Sequence, residues 1–369
     1  MASEITDKMK NTLKHKDDLE YCIRCGFCEA VCPTVDQLGW DSASARGRMV
    51  FLKAALDGTI GLSEKLGKRI FQCTTCGFCQ YKCPAGVNPL DIIIDARRDL
   101  VKLNLSPDAH GMMVDTVKKF RNPYGKDHAD KNKYKRNSSS NVLYFMGCTA
   151  PFLRPDIVKD TMDVLDAAGV DFQVLGEDAW CCGGFMPKTG YDDDFEEIKK
   201  LNIQAFRDAG IDTIITSCSD CFNTLKNEYE MEDIEVLDFT QYVDRLISEG
   251  KLNIDKNDDV VTYHDPCNLG RHGRVFDEPR RVLDKIANLV EMEYCKESSY
   301  CCGGEPGVLY SDSDLAEAIG KERMKQADKT KAELLVTPCP SCTIQLSKYS
   351  GSVPVMNFAE YIASRVRSG

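Results

Sequence analysis

The chain has 369 residues, enough for two or three domains that each bury a core. Its formal charge of −11 argues against non-specific binding of nucleic acid, because such binding needs lysine and arginine to neutralise phosphates. The longest apolar runs fall far short of the roughly 18 residues of a membrane-spanning helix, so we expect no direct membrane span. Cysteine is the outlier: 19 residues, an odd number, fall mainly in C-x-x-C groups. The first residues lack the apolar stretch of an export signal, so we expect a cytoplasmic chain whose clustered thiols bind metal.

Residues 1–120 contain two cysteine-rich runs joined by helical sequence. The runs "CIRCGFCEAVCP" and "CTTCGFCQYKCP" both follow the spacing C-x2-C-x2-C-x3-C-P, with cysteines Cys22, Cys25, Cys28 and Cys32 in the first and Cys73, Cys76, Cys79 and Cys83 in the second. Between them, "SARGRMVFLKAALDG" predicts a helix with one apolar face, formed by Met49, Leu52, Ala55 and Leu56.

This spacing lets three thiolates of one run bind one [4Fe–4S] cluster while the fourth reaches a second cluster. We therefore predict two cubane clusters with crossed ligand sets, called here the Cys22 set (Cys22, Cys25, Cys28 and Cys83) and the Cys73 set (Cys73, Cys76, Cys79 and Cys32). Gly26 and Gly77 are expected to let the backbone wrap closely around the sulfurs. Zinc also suits C-x-x-C, but two complete ferredoxin signatures favour iron–sulfur clusters. Two neighbouring clusters without substrate-binding residues of their own indicate an electron-transfer module.

The polar segment 121–141 is predicted to be a linker, and strands and helices alternate after it. In the first half, 142–258, strands are predicted in "NVLYFMGC", "DFQVLG" and "IDTIITSC", with helices in "RPDIVKDTMDVLDAAG" and "DDFEEIKKLNIQAFRDAG". In the second half, 259–369, the strands are "DVVTYHDPC", "VEMEYC" and "AELLVTPC", and the helices are "EPRRVLDKIANL" and "SDLAEAIGKERMKQADKT". This alternation predicts two α/β domains with parallel sheets and right-handed crossovers.

The two halves carry the same cysteine pattern at offsets of 119, 120 and 121 residues. In each half a cysteine after the first strand is followed by an adjacent pair, "WCCGGF" or "YCCGGE", and then by C-x-x-C. The first set is Cys148, Cys181, Cys182, Cys218 and Cys221, and the second set is Cys267, Cys301, Cys302, Cys339 and Cys342. Both sets contain cysteines at the carboxyl ends of predicted strands, where open α/β sheets bind ligands. Five converging thiolates with an adjacent pair suit a cluster in which one sulfur bridges two irons.

This duplicated pattern resembles the signature of the CCG-domain family, typified by the catalytic subunit of heterodisulfide reductase from methanogenic archaea. The fused dicluster module resembles the single-chain, HdrD-type subunit, in which an HdrC-like ferredoxin domain precedes HdrB-like duplicated CCG domains. The resemblance covers 22–83 and 142–369, including "YHDPCNLGRHGRV". It implies an α+β and α/β chain: a helical domain with two cubane [4Fe–4S] clusters, followed by two CCG domains with parallel sheets. It also implies a non-cubane [4Fe–4S] cluster in each CCG domain, with the two facing each other across the substrate site.

The resemblance further implies an iron–sulfur oxidoreductase that reduces a heterodisulfide of the coenzyme M–S–S–coenzyme B type to two thiols. We expect an electron-donating partner, either a cytochrome b membrane subunit or a flavoprotein, and through it a place at the inner face of the membrane. An anionic disulfide needs basic groups, for which the tentative candidates are Lys188, Arg271, His272 and Arg274. The alternative for each of them is a solvated surface charge.

A second interpretation remains open. The same motifs resemble the iron–sulfur subunits of glycolate and D-lactate dehydrogenases and of quinone-linked relatives, which carry electrons for a separate flavoprotein. In those subunits at least one CCG motif usually lacks a cysteine, whereas both are complete here, which favours disulfide chemistry. Outside the motifs, Cys295 is predicted to be a buried core residue, with a cluster ligand as the alternative. His264 is expected to hydrogen-bond a backbone carbonyl, with proton donation as the alternative.

Overall fold

The computed structural model describes residues 7–367, which divide into two units. The first unit comprises 7–114, 185–195 and 303–320, and the second comprises 115–184, 196–302 and 321–367. None of the helices in 7–367 has the length and apolar character that crossing a bilayer requires.

Helices account for most of the regular structure. In chain order the α-helices are Lys10–Leu13, Lys16–Tyr21, Phe27–Ala30, Pro33–Leu38, Ala45–Leu56, Glu64–Phe71, Phe78–Tyr81, Pro89–Lys102, Asp108–Phe120, Thr149–Leu153, Pro155–Ala167, Phe185–Thr189, Asp192–Asp208, Ser219–Asn227, Phe239–Ser248, Asp277–Ile286, Pro306–Ser311, Ser313–Asp328, Pro340–Ser347 and Phe358–Val366. Short 3₁₀ helices span Asp41–Ala43, His128–Tyr134, Gly176–Asp178 and Lys296–Ser298, and Asn268–His272 form a π-helix.

The first unit is helical, as predicted. The helix Ala45–Leu56 begins where the Ser44 side chain accepts a hydrogen bond from the backbone N–H of Gly47 at 2.8 Å. Its predicted apolar face is buried and packs with the helices Glu64–Phe71 and Pro89–Lys102 in one core. This core holds in place the helices that flank the two cysteine runs.

The second unit contains two parallel sheets, which confirms the predicted fold class. The strands are β1 Val142–Tyr144, β2 Thr213–Thr216, β3 Glu235–Asp238, β4 Val260–Tyr263, β5 Asn288–Leu289, β6 Leu334–Thr337 and β7 Val355–Asn357. The first sheet has the order β1-β2-β3 and the second the order β5-β4-β6-β7. Leu143 aligns with Ile214 in the first sheet, and Thr262 with Leu335 in the second.

Two predicted strands are wrong in extent. The segment "DFQVLG" forms only isolated bridges, at Gln173 and Val174, and "VEMEYC" contains no strand, because the edge strand β5 ends before it at Leu289. In both segments polar residues alternate with apolar ones, which is the pattern of a half-buried strand but does not show whether a partner strand lies beside the segment. Alternation alone therefore overestimated their pairing.

Equivalent elements of the two halves pack reciprocally. The helix Pro155–Ala167 contacts Phe358–Val366, and Phe239–Ser248 contacts Asp277–Ile286. Phe239 and Phe358, which begin equivalent helices, meet edge-on with ring centroids 6.3 Å apart inside one continuous core. Reciprocal contacts of this kind are those of a two-fold arrangement, so the halves are related by an approximate two-fold axis.

Candidate iron–sulfur sites

The Cys22 set lines one cavity, although its members come from both cysteine runs. Cys22, Cys25 and Cys28 meet Cys83 around it. Gly26 has φ +87°, the left-handed conformation that lets the chain turn between Cys25 and Cys28, as expected. Burial, with a smaller contribution from the neighbouring thiols, raises the pKa of the Cys28 thiol to about 11. Thiols this crowded are typical of a site that a metal would deprotonate.

The Cys73 set lines a second cavity, to which the first run contributes Cys32 and the second run Cys73, Cys76 and Cys79. Gly77 again has a positive φ, +74°. Burial and the neighbouring thiols hold the pKa of Cys79 well above its usual range. The crossed grouping expected from the spacing is therefore the grouping in which the side chains lie together.

The two cavities differ in exposure and charge. Cys25 is exposed, whereas Cys73 and Cys76 are buried. Two buried arginines, Arg48 and Arg97, lie beside Cys73, and Arg97 Nη2 donates to the Cys73 carbonyl at 2.6 Å. Burial raises the pKa of Cys73, and the two guanidinium groups oppose this rise. A negatively charged group at the Cys73 set would thus be stabilised by two buried cations.

The first set gathers at the carboxyl edge of the first sheet. All five of its cysteines are buried, and the sulfurs of Cys148 and Cys181 are 3.5 Å apart. Cys182 and Cys221 lie within hydrogen-bonding reach of each other. Gly147 has φ +68°, and a Cβ on it would lie 2.9 Å from the Cys221 sulfur, so a larger residue would intrude among the thiols.

The adjacent cysteine pair of the first set is held by its main chain. Asn202 Nδ2 donates to the Cys181 carbonyl at 3.1 Å, and the Tyr229 hydroxyl donates to the Cys182 carbonyl at 3.0 Å. Asn202 also donates to the Tyr229 hydroxyl at 3.0 Å and accepts from the backbone N–H of Trp180 at 2.8 Å. With both carbonyls fixed in this way, the two side chains of the pair remain available as thiolate donors.

The second set occupies the equivalent edge of the second sheet. The sulfurs of Cys302 and Cys342 are 3.2 Å apart, and Cys342 lies within hydrogen-bonding reach of Cys339. Cys301 is buried and Cys267 is half-buried. Hydrogen bonds with the thiols of Cys302 and Cys339, together with burial, hold the pKa of Cys342 well above its usual range.

The two sets meet at Cys218 and Cys339. These equivalent residues are within hydrogen-bonding reach of each other, which keeps the pKa of Cys218 high and that of its acceptor Cys339 low. Nearby, Asn268 Nδ2 donates to Asp220 Oδ1 at 2.9 Å across the same approximate two-fold axis. The thiols of the two halves therefore adjoin each other at Cys218 and Cys339.

A buried ion pair anchors the loop that leads to Cys267. Arg280 donates to both carboxylate oxygens of Asp265, at 2.8 and 2.9 Å, and the side chains are only 7% and 2% exposed. The backbone N–H of Lys296 also donates to Asp265, at 2.8 Å. A bidentate pair with a further donor offsets the cost of burying the carboxylate.

One charged residue beside the first set was missed by the sequence analysis. Lys131 lies in the 3₁₀ helix within the segment predicted to be a linker, yet it is 1% exposed. Its Nζ donates to the Ala179 carbonyl at 2.5 Å, two residues before Cys181. Burial lowers the pKa of Lys131 to about 8, while thiols of the first set favour its charged form. A lysine in a polar, glycine- and serine-containing segment gives no sequence signal of burial.

The tentative substrate residues have different surroundings. Arg271 is buried, and its Nη1 donates to the carbonyls of Ser299, at 2.5 Å, and Glu297, at 3.3 Å. It therefore positions the segment before Cys301. His272 is half-buried and Arg274 is exposed, with φ +61°. Lys188, in the first unit, is half-buried.

Two predictions for single residues need correction. Cys295 is half-buried instead of buried, because it lies in an irregular loop beyond β5. His264 follows β4, and its ring does not bond a backbone carbonyl within the described residues. Its Nδ1 instead accepts a hydrogen bond from Nε of Arg323 at 3.0 Å. Burial and the adjacent guanidinium lower the pKa of His264 well below its usual range, so the ring is neutral.

Comparisons with protein families agree with this arrangement. Residues 18–87 match the model of the 4Fe-4S dicluster domain. Residues 142–226 and 261–347 each match the model of the cysteine-rich domain named CCG. The three matched regions include all nineteen cysteines of the chain, the eighteen of the four sets and Cys295.

Comparisons with whole proteins identify the family. The chain is 33% identical to the D subunit of the dihydromethanophenazine:CoB–CoM heterodisulfide reductase of Methanosarcina acetivorans, over 88% of this chain and 87% of that protein. It is 31% identical to the B subunit of the fumarate reductase (CoM/CoB) of Methanothermobacter marburgensis, over 93% of this chain and 72% of that protein. It is 26% identical to the EtfAB:quinone oxidoreductase of Syntrophomonas wolfei, over 89% of this chain and 55% of that protein. The chain thus belongs to the HdrD family of heterodisulfide reductase subunits, and it is an iron–sulfur oxidoreductase.

Proposed function

We propose that this chain reduces a heterodisulfide of the coenzyme M–S–S–coenzyme B type to two thiols at the joined first and second sets. The observation that carries the proposal is that both five-cysteine sets are complete and meet at Cys218 and Cys339. Cleaving one disulfide consumes two electrons, and iron–sulfur clusters deliver them singly. Two adjoining clusters can therefore supply the two electrons together, whereas one cluster supplies only one.

The donor chemistry of the four sets suits iron–sulfur clusters. We assign cubane [4Fe–4S] clusters to the Cys22 and Cys73 sets, and non-cubane [4Fe–4S] clusters to the first and second sets. When bound, the clusters would supply the electrons that the disulfide consumes. Soft thiolates are the ligands that such clusters take in proteins. Asn202, Tyr229, Arg271 and Arg280 hold the segments that carry these thiolates.

The chain's own residues would also receive the substrate and the electron donor. Arg274 and His272 follow Cys267 closely and are the side chains of the basic segment that keep exposed surface, so we assign them to the anionic groups of the disulfide. Arg271 acts beside them through the loop it holds. Electrons are proposed to enter at the Cys22 set, where Cys25 is exposed, from a cytochrome b membrane subunit or a flavoprotein that keeps the chain at the inner face of the membrane.

The first experiment measures cluster content. Anaerobically purified protein should contain about sixteen irons per chain, four for each set. Cys302→Ser is expected to lower this content, whereas Cys295→Ser, which changes the one cysteine outside the sets, should leave it unchanged. About eight irons, with zinc in the remaining sites, would refute the assignment of the non-cubane clusters.

The second experiment measures the reaction. Protein reduced by an artificial dye should cleave the coenzyme M–coenzyme B heterodisulfide without added flavoprotein, and the two thiols can be counted with a thiol reagent. Cys302→Ser should abolish the cleavage and Cys295→Ser should not. An enzyme with full iron content that leaves the disulfide intact would contradict the proposed substrate.

The alternative is an electron-transfer subunit. Two observations favour it: the exposed Cys25 at the Cys22 set, and the likeness to a protein named as a quinone oxidoreductase. In that case the protein would accept electrons from a reduced flavoprotein that oxidises a 2-hydroxy acid and would ignore disulfides. Stopped-flow absorbance of the clusters with each reductant distinguishes the two functions.

A further inference from the structure

His264 lies unusually close to the second set. A ring nitrogen of His264 and the sulfurs of Cys302 and Cys342 all lie within 4.8 Å of one another, a spacing at which three side chains could share a metal ion. The histidine is 1% exposed. Its Nε2 is buried and has no hydrogen-bond partner among residues 7–367. An unpaired buried ring nitrogen costs free energy unless something absent from the protein chain satisfies it.

The hydrogen bonds of Arg323 determine whether Nε2 of His264 can bind a metal or can only donate a hydrogen bond. The Nε of Arg323 donates to His264 Nδ1 at 3.0 Å, and its other nitrogens donate to the Tyr294 carbonyl at 2.8 Å, Gln326 Oε1 at 2.8 Å and Ser299 Oγ at 3.4 Å. An arginine side chain only donates, so Nδ1 of His264 must be the unprotonated nitrogen. The proton of the neutral ring is then on Nε2. A nitrogen that carries a proton cannot bind a metal but can donate a hydrogen bond.

The duplication supplies an internal comparison. Phe145 is the equivalent of His264, because each lies three residues before the first cysteine of its set. Their backbone N–H groups donate to equivalent carbonyls, Phe145 to Ile215 at 2.8 Å and His264 to Val336 at 3.0 Å. The residue equivalent to Arg323, sixteen before the C-x-x-C motif, is Asn202. His264 and Arg323 are thus both present in the second half, and in the first half they are replaced by Phe145 and Asn202.

We propose that His264 donates its Nε2–H to a sulfur of the cluster bound by Cys302 and Cys342, and that this hydrogen bond raises the reduction potential of the cluster at the second set relative to its value without the donor. Arg323 is a positioning residue that fixes the tautomer. The inference rests on the proposed clusters. Hydrogen bonds to cluster sulfurs are a recognised determinant of potential, because they stabilise the more negative, reduced state. The clusters at the first and second sets would then differ in reduction potential, although the two sets have the same cysteine pattern.

The test uses the full chain with its clusters, prepared anaerobically, and does not depend on turnover. His264→Phe introduces the residue of the first half and removes the donor, whereas His264→Gln keeps an N–H near the position of Nε2. Iron content and EPR-monitored redox titrations are measured for both variants and the wild type. Pulsed EPR of wild-type protein labelled with ¹⁵N-histidine measures the coupling between the cluster and the ring nitrogen.

We expect wild-type protein to show a weak ¹⁵N coupling, as in a hydrogen bond. His264→Phe should lose this coupling, keep its iron and shift one midpoint potential to a more negative value, and His264→Gln should stay close to wild type. A strong, directly bonded ¹⁵N coupling, or loss of iron in both variants, would show that His264 is a ligand and overturn the inference. Full iron content with unchanged potentials in His264→Phe would also overturn it, while leaving the proposed function intact. Wild-type protein with only about eight irons would overturn both proposals.

Discussion

Asp238 allows a quantitative test of how the second unit is built. It ends β3 and caps the helix Phe239–Ser248, where its Oδ1 accepts from the backbone N–H of Thr240 at 2.9 Å and from its hydroxyl at 2.7 Å. The residue is fully buried, and Oδ2 has no partner within the part of the chain that the structure describes. Burial raises the pKa of Asp238 from 3.8 to about 7. The equivalent residue of the second half is Asn357, which makes the same capping box without a charge.

The sign of the effect follows from proton binding. Between pH 3.8 and about pH 7 the folded carboxyl keeps a proton that the unfolded chain has released. The free energy of unfolding therefore falls as pH rises through this window, and the loss levels off above the native pKa. The total loss is about 4 kcal/mol, of which about 1 kcal/mol falls between pH 6 and pH 8. Asp238→Asn removes this loss and keeps the cap, because asparagine caps as well as aspartate.

The assay is anaerobic unfolding of wild type and Asp238→Asn with intact clusters at pH 6 and pH 8. The variant should be the more stable protein at both values, and its advantage should be larger at pH 8 by about 1 kcal/mol. Asn357→Asp is the reciprocal control and should acquire the pH dependence that Asp238→Asn loses. An advantage of the same size at both pH values would refute the argument that the buried carboxyl titrates within this window.

Three further predictions concern charge, packing and cooperation between the sites. Lys131→Met removes a buried cation beside the first set, so a redox titration should show one midpoint potential shifted to a more negative value, and unchanged potentials would contradict this. Arg280→Met leaves Asp265 buried without a cation and should cost about 3–5 kcal/mol in chemical unfolding. Arg281→Met, at an exposed pair, should cost less than about 1 kcal/mol. Cys182→Ser and Cys302→Ser should each abolish disulfide cleavage, so the double variant should be no worse than either, and two partial, multiplying losses would argue against joint action.

The local pattern of the sequence determined much of the fold. Periodicity placed the helix Ala45–Leu56 and the strands β1, β2, β4 and β6, because a helix or strand with a buried face must repeat its apolar residues at a fixed interval. Cysteine spacing predicted which thiols share a cavity in the first unit, because short loops of fixed length leave little freedom in where a sulfur can lie. Edge segments such as 290–295 were overestimated, since alternation does not show whether a neighbouring strand is present.

Only the tertiary structure decided what surrounds the cysteines. Cys218 contacts Cys339, and Arg323 donates a hydrogen bond to His264, although the partners are far apart in the chain. Lys131 is likewise buried by residues that are distant in the sequence. None of these residues carries a local signal of its role: a lysine in a polar segment looks exposed, and a histidine after a strand looks like any core histidine. Charge and protonation are set by burial and by the groups packed nearby. The sequence could therefore indicate which thiols are candidates to bind a cluster, but the electrostatic setting of each site depends on contacts that only the folded chain creates.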